Sequence, residues 1–263
     1  MSVRPVAPQR RHTLHFLDEI RQFSPVFLDT EVDMSAVRAH RMAARAAGRR
    51  YSIVSYLLVV AAGVLARHPE ANAAIRGRIR PRISRYDTVS GKLTLDKMLD
   101  GKRVVLSAVL PDLDRSGLDE VQRQVDHYRD NDPAVMPEFA GVRALHRLPW
   151  PVRPFAFRRV VRPLSRRPRT FGTFALTSLG HAAVDGFHSV GGTTVTLGVG
   201  RILDRPVVRD GGLAIAPMMR LSLAFDHRVI DGAEAADVLT EIRDGIEAYA
   251  PSPVCDAVAA ATR

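Results

Sequence analysis

Leu221-Ser222-Leu223-Ala224-Phe225-Asp226-His227-Arg228-Val229-Ile230-Asp231-Gly232-Ala233 runs from a strand into a helix. Residues 219 to 226 alternate in the period-2 manner of a strand, and an amphipathic helix is expected from about Ala233 to Tyr249. The turn between them places a histidine at a strand end. Asp231 follows four residues later, near a helix start, where an acid is favoured by free N–H groups and the helix dipole. An imidazole, with an ordinary pKa of about 6.5, accepts a proton from a thiol or hydroxyl at neutral pH once its ring is held in one tautomer. His227 is therefore a candidate general base.

Outward from this turn, strand-like runs are expected at Gly172 to Ser178 and Thr193 to Val199. Further upstream, Arg82 to Asp87, Lys92 to Met98 and Arg103 to Leu110 read as a meander separated by Gly91 and Gly101. Helices are expected from Asp33 to Ala47, with Asp33 as N-cap and Gly48 as stop, from Ser52 to Arg67, and from Ser116 to Arg129. Residues 1 to 12 read as a loose arm. The stretch 137–170, with Pro137, Pro149, Pro151, Pro154, Pro163 and Pro168, reads as the least regular part. Helices, strands, helix, strands and helix in that order predict an α+β domain built on a mixed sheet.

At 263 residues and 46% hydrophobic content the chain can bury a substantial core as one domain. It carries 38 Lys and Arg against 28 Asp and Glu, a net charge of +10, and its only lysines are Lys92, Lys97 and Lys102. Such an arginine surface suits an anionic cofactor, an acidic protein, nucleic acid or a membrane, and charge alone does not choose among them. The single cysteine, Cys255, excludes a disulfide framework and fits a reducing compartment. The most apolar stretch, Tyr51 to Ala66, is 16 residues long. A bilayer span needs roughly 20, so a buried core helix is expected there. No apolar segment follows the N-terminal arginines, which argues against a secretory signal, and a cytoplasmic protein is expected.

Asp226-His227-Arg228-Val229-Ile230-Asp231-Gly232 resembles the signature of the 2-oxo-acid dehydrogenase acyltransferases, whose His-x-x-x-Asp-Gly core is shared with chloramphenicol acetyltransferases and condensation domains. Three further blocks are similar to the same family in the same order. They are Arg67-His68-Pro69-Glu70-Ala71-Asn72-Ala73, Phe174-Ala175-Leu176-Thr177-Ser178-Leu179-Gly180 and Leu197-Gly198-Val199-Gly200-Arg201. The resemblance implies a chloramphenicol-acetyltransferase-like fold, a mixed sheet flanked by helices. It implies that His227 deprotonates the acceptor, that Thr177 hydrogen-bonds the tetrahedral oxyanion, and that Asp231 holds the local geometry. It also implies a homotrimer, or an assembly of trimers, with histidine and hydroxyl drawn from different chains. A coenzyme A thioester is the expected acyl donor, with acetyl as the expected group and no metal. No residue is assigned to coenzyme A, whose contacts in the family are a matter of tunnel shape. Ser178 and Ser222 line the expected site without a stated role.

Residues 1–24 are then an arm, 25–250 the catalytic domain with a basic, proline-rich insertion at 137–170, and 251–263 a tail. With no room for a lipoyl domain, a free-standing enzyme is expected, with no covalent lipoyl group on this chain although Asp96-Lys97 is similar to a lipoyl-attachment pair. The first reading is a biosynthetic acyltransferase acting on a small or carrier-bound acceptor, as in O-acetylation of tetronate-type natural products. The alternatives are the acyltransferase core of a 2-oxo-acid dehydrogenase complex using a separately encoded lipoyl domain, and a catalytically silent trimeric scaffold. His181-Ala182-Ala183-Val184-Asp185-Gly186 repeats the motif without the preceding acid or the following helix, so His227 is preferred. Nine arginines and no acid lie between Arg143 and Arg169, interleaved with Trp150, Phe155 and Phe157. They read either as a solvated flap or as a dock for an acidic carrier or lipoyl domain or for cofactor phosphates; nucleic acid and membrane contact are not expected. Gly191-Gly192-Thr193-Thr194 replaces an Asn-Pro-Pro-Gln-like family turn, which bears on the acceptor rather than the base.

Overall fold

The structure, a computed structural model, describes residues 6–77, 79–99, 101–149 and 151–250. Cys255, Trp150 and the 251–263 tail lie outside the described residues. Among the described residues eight α-helices and eight strands follow in the order α1 (Arg11–Ile20), β1 (Pro25–Asp33), α2 (Ser35–Ala46), α3 (Ile53–Arg67), β2 (Ala73–Arg76), β3 (Arg82–Arg85), β4 (Gly91–Leu99), β5 (Lys102–Leu110), α4 (Leu118–Asp130), α5 (Ala140–Arg147), α6 (Arg153–Val161), α7 (Arg167–Thr170), β6 (Phe174–Ser178), β7 (Val195–Arg209), β8 (Gly212–Asp226) and α8 (Gly232–Glu247).

Six strands form one mixed sheet in the order β1-β8-β7-β6-β4-β5, with β6 parallel to both β4 and β7 and the other pairs antiparallel. One face is apolar. Phe174, Leu176, Val195, Leu197, Leu221, Leu223 and Phe225 point into a core shared with α3, α4 and α8. The alternate residues, including Lys92, Thr94, Thr177, Thr196, Ser222 and Asp226, give the opposite face a polar character. Helix α3 is apolar on all sides because it is the central core helix, capped by the Ser52 hydroxyl, which accepts from Ser55 N at 3.1 Å. At its other end His68 bonds Glu234 at 2.9 Å and Glu241 at 3.0 Å, tying α3 to α8. Burial works against a charged His68, but the two carboxylates outweigh it and raise its pKa.

Several expectations change. The meander is a β4–β5 hairpin, whereas β3 pairs with β2 in a separate two-stranded ribbon. The arm is helical from Arg11, and β1 is a strand the alternation hid, since Asp29, Glu31 and Asp33 face outward along a sheet edge. Helix α2 starts at Ser35 rather than Asp33, whose carboxylate accepts from Ser35 N at 2.9 Å just ahead of it. The 137–170 stretch is helical: Pro154 and Pro168 stand in first turns, where a missing N–H costs nothing. Strands β7 and β8 run 15 residues each, well past the expected segments, joined at Asp210 and Gly211 with φ of 50° and 78°. This pair of positive φ values is the type I′ geometry that closes two-residue hairpins. No described helix is long and apolar enough to cross a membrane.

Candidate active site

Two neighbours hold the backbone at His227. Pro25 pairs with Asp226 at the end of the β1–β8 ladder, and the His227 N–H donates to Ser24 O at 2.9 Å. Asp226, only 1% exposed, accepts from Arg228 Nε at 2.9 Å, Arg228 Nη2 at 2.6 Å and Arg228 N at 3.2 Å. This carboxylate locks the turn, so it acts structurally. Asp231 is the N-cap residue of α8, and its side chain makes no capping bond. It faces His227 instead, with Oδ1 3.5 Å from Nδ1. That separation exceeds an ordinary N–H···O bond, so Asp231 faces the ring without a hydrogen bond to it. Among the described residues no group of three His, Cys, Asp or Glu is placed to hold a metal ion.

Thr177 lies elsewhere on the sheet. It pairs with Gly198, which pairs with Ser222, and His227 lies five residues beyond Ser222. At about 3.4 Å per residue and about 4.8 Å per strand step, roughly 19 Å separates the two groups within one chain. The chain therefore does not bring its candidate base and candidate oxyanion donor together by itself. The Thr177 hydroxyl bonds that of Thr94 at 3.0 Å. Thr177 is the donor in that bond, so Thr94 fixes the Thr177 hydroxyl, a contact that its spacing in the sequence did not reveal. Thr94→Val is expected to lower kcat about 2- to 10-fold with KM nearly unchanged, the worth of one ordinary hydrogen bond. Steady-state kinetics checks this, and a change confined to KM would contradict it.

The Leu197-to-Arg201 block has a steric reason. A Cβ at Gly200 would lie 2.0 Å from Asp185 O and one at Gly198 2.5 Å from Phe187 O, because the loop after β6 lies directly on β7. That loop contains the second motif. Its Asp185 bonds Arg201 at 2.5 Å, and His181 stands exposed beside it, so the geometry there clamps a loop. Ser222 donates to Gly198 O at 3.3 Å and Ser178 accepts from Gly180 N at 3.4 Å, both local uses. Lys97 sits in β4, donating to Arg129 O at 2.5 Å and Asn131 O at 2.9 Å. Of the basic stretch, Arg143 and Arg153 bond backbone carbonyls and Arg162 holds Glu19. These side chains stitch the insertion to itself, to the residues just before it and to α1.

Lys92, on the polar face of β4, is 5% exposed. Its ammonium donates to Gly191 O and lies 3.9 Å from the Phe171 ring centroid and 4.8 Å from that of Phe16. Burial, with Arg167 adding repulsion, pulls its pKa down to about 7. Gly192 beside it has φ of 78°, and a Cβ there would stand 2.8 Å from Phe171 and 2.9 Å from Ile20, which accounts for glycine in place of the family turn.

Fold and topology define a class, the chloramphenicol-acetyltransferase-like fold: a chloramphenicol acetyltransferase aligns over 89% of this chain and 94% of its own, at 18% identity and a TM-score of 0.51. Within that class the chain resembles the catalytic domain of the 2-oxo-acid dehydrogenase acyltransferases, and residues 164–252 match the family model described as 2-oxoacid dehydrogenases acyltransferase (catalytic domain). A probable dihydrolipoamide acetyltransferase from Listeria monocytogenes 4b F2365 aligns over 96% of this chain and 97% of its own at 18% identity, with a TM-score of 0.70. The cubic core of a pyruvate dehydrogenase multienzyme complex aligns over 94% and 92%, at 20% identity and a TM-score of 0.70. In sequence, the dihydrolipoyllysine-residue acetyltransferase component of the pyruvate dehydrogenase complex of Bacillus subtilis (strain 168) is 53% identical over 47 residues, 18% of this chain. That stretch spans 11% of the relative's length.

Proposed function

We propose that the protein transfers an acyl group from a coenzyme A thioester to a thiol or hydroxyl acceptor, with His227 as general base. The observation that carries this reading is the turn itself: a histidine at a strand end, its Nδ1 facing Asp231, within a segment that matches an acyltransferase family and also contains Thr177. In the proposed reaction His227 Nε2 takes the acceptor proton as the acceptor sulfur or oxygen bonds the thioester carbonyl carbon. The resulting oxyanion is held by the Thr177 hydroxyl. Collapse breaks the carbon–sulfur bond, and the imidazolium returns its proton to the departing coenzyme A sulfur.

The separation of roughly 19 Å expected from the strand spacings supports a site shared between copies, as in a trimer. Also in favour of association, the free end of the β7–β8 hairpin presents Val208, Leu213 and Ile215 at 73%, 86% and 78% exposure. We assign residues 25–250 to the catalytic domain and 137–170 to an insertion within it. The acceptor of the first reading is a small or carrier-bound metabolite, in keeping with the departures at Gly191-Gly192 and in the insertion. A second reading, acylation of dihydrolipoamide on a separately encoded lipoyl domain, draws on the family match.

Mass spectrometry of purified protein with acetyl-coenzyme A, with and without dihydrolipoamide and with His227→Ala as control, tests both. Acetyl-dihydrolipoamide formed only when His227 is present favours the second reading. Coenzyme A thioester binding without that transfer favours the first, and transfer unaffected by His227→Ala sinks the mechanism.

A further inference from the structure

Phe171 lies between two cations. Lys92 Nζ is 3.9 Å from its ring centroid and Arg167 Cζ is 4.8 Å. Each donates to a carbonyl of the same turn, Lys92 to Gly191 and Arg167 to Gly192, and among the described residues neither has a carboxylate at ion-pair distance. Removing positive charge from water without an acidic partner is costly, and two such charges on one ring raise that cost.

Arg167 forms part of the wall of a cavity of about 330 Å³ enclosed by α1, the end of β2 and the α6–α7 segment. Arg76, Arg162 and Arg228 also line it, against a single acid, Glu19. Two of these arginines are neutralised: Glu19 holds Arg162 at 2.8 and 3.0 Å, and Asp226 holds Arg228. Among the described residues Arg76 bonds the Arg162 carbonyl at 3.4 Å and no carboxylate at ion-pair distance, so Arg76 and Arg167 bring charge without a paired acid to the cavity. The remaining wall includes Phe23, Phe171 and Val161, and the volume is within the range of small-molecule sites.

We propose that this cavity binds a small organic anion, a carboxylate or phosphate monoester on an apolar body, with the oxyanion on Arg167 and Arg76 and the body against Phe23 and Phe171. The guanidinium fork matches either oxyanion. None of this rests on the acyl-transfer reading, because binding is measured without turnover.

The test is isothermal titration calorimetry at constant ionic strength, with phenyl phosphate and benzoate as probes. At least one probe is expected to bind one site per chain, and the tighter of the two identifies the headgroup. Arg167→Leu is expected to weaken that probe at least tenfold. Arg76→Gln, at an exposed position and so safe for folding, is expected to weaken it about threefold or more. Absence of binding by both probes, or binding that Arg76→Gln leaves unchanged, would overturn the proposal.

Discussion

His227→Ala is expected to lower kcat by about 10²- to 10⁴-fold, the usual worth of a general base. An acceptor thiol or hydroxyl is a weak nucleophile until its proton is taken, and His227 is the one group of the signature turn with a free nitrogen to take it. Thr177→Ala removes a single oxyanion donor, for which a loss of about 10²- to 10³-fold is usual. The histidine variant is therefore expected to be the poorer of the two in kcat for acyl transfer from acetyl-coenzyme A. His227→Ala should still unfold like wild type, because its side chain is 46% exposed and the turn is held by Asp226, Arg228 and the backbone. A variant equal to wild type in rate would remove His227 from the chemistry.

The second large effect concerns stability. Lys92→Met is expected to stabilise the fold near pH 7 and to lose that advantage as the pH rises. Burial, with Arg167 adding repulsion, pulls the folded lysine down to about 7 from an ordinary 10.5. Below about 7 the folded chain carries a buried ammonium and the whole net penalty, on the order of 5 kcal/mol. Between about 7 and 10.5 the unfolded chain still binds a proton that the folded chain has released, so wild-type stability rises with pH across this window. A gain of about 5 kcal/mol corresponds to a Tm higher by about 10 to 20 °C for a domain of this size. Thermal unfolding of both proteins from pH 6.5 to 9.5 measures it. Since His68, whose pKa is raised, contributes equally to both, it cancels in the difference. A Tm difference that stays constant over the range would show that Lys92 is not titrating.

The inner part of β8, residues 219–226, and helix α8 were legible because apolar and polar residues alternate in the one and an apolar stripe runs along the other, leaving periods of 2 and 3.6 in the sequence. The outer half of β7 was not, since Arg201, Asp204, Arg205 and Pro206 stand where the hairpin leaves the core and no buried face enforces alternation. Helix α1 was missed for a similar reason: it has no buried residue and no capping side chain. Of the candidate site, His227 and Asp231 could be read because they are four residues apart on one turn. Thr94 with Thr177, and Arg76 with Arg167, meet only through the sheet and the insertion, 83 residues apart in the first case. No local pattern records such pairings.

The central claim, that the site is assembled from His227 of one copy and Thr177 of another, is tested most directly by mixing inactive chains. His227→Ala and Thr177→Ala proteins, each purified alone and then refolded together in equal amounts, would form mixed trimers in which an interface pairs an intact histidine with an intact threonine. Random assembly of cyclic trimers predicts about a quarter of the wild-type rate, well above the sum of the two variants measured separately. A mixture no more active than that sum would contradict a shared site.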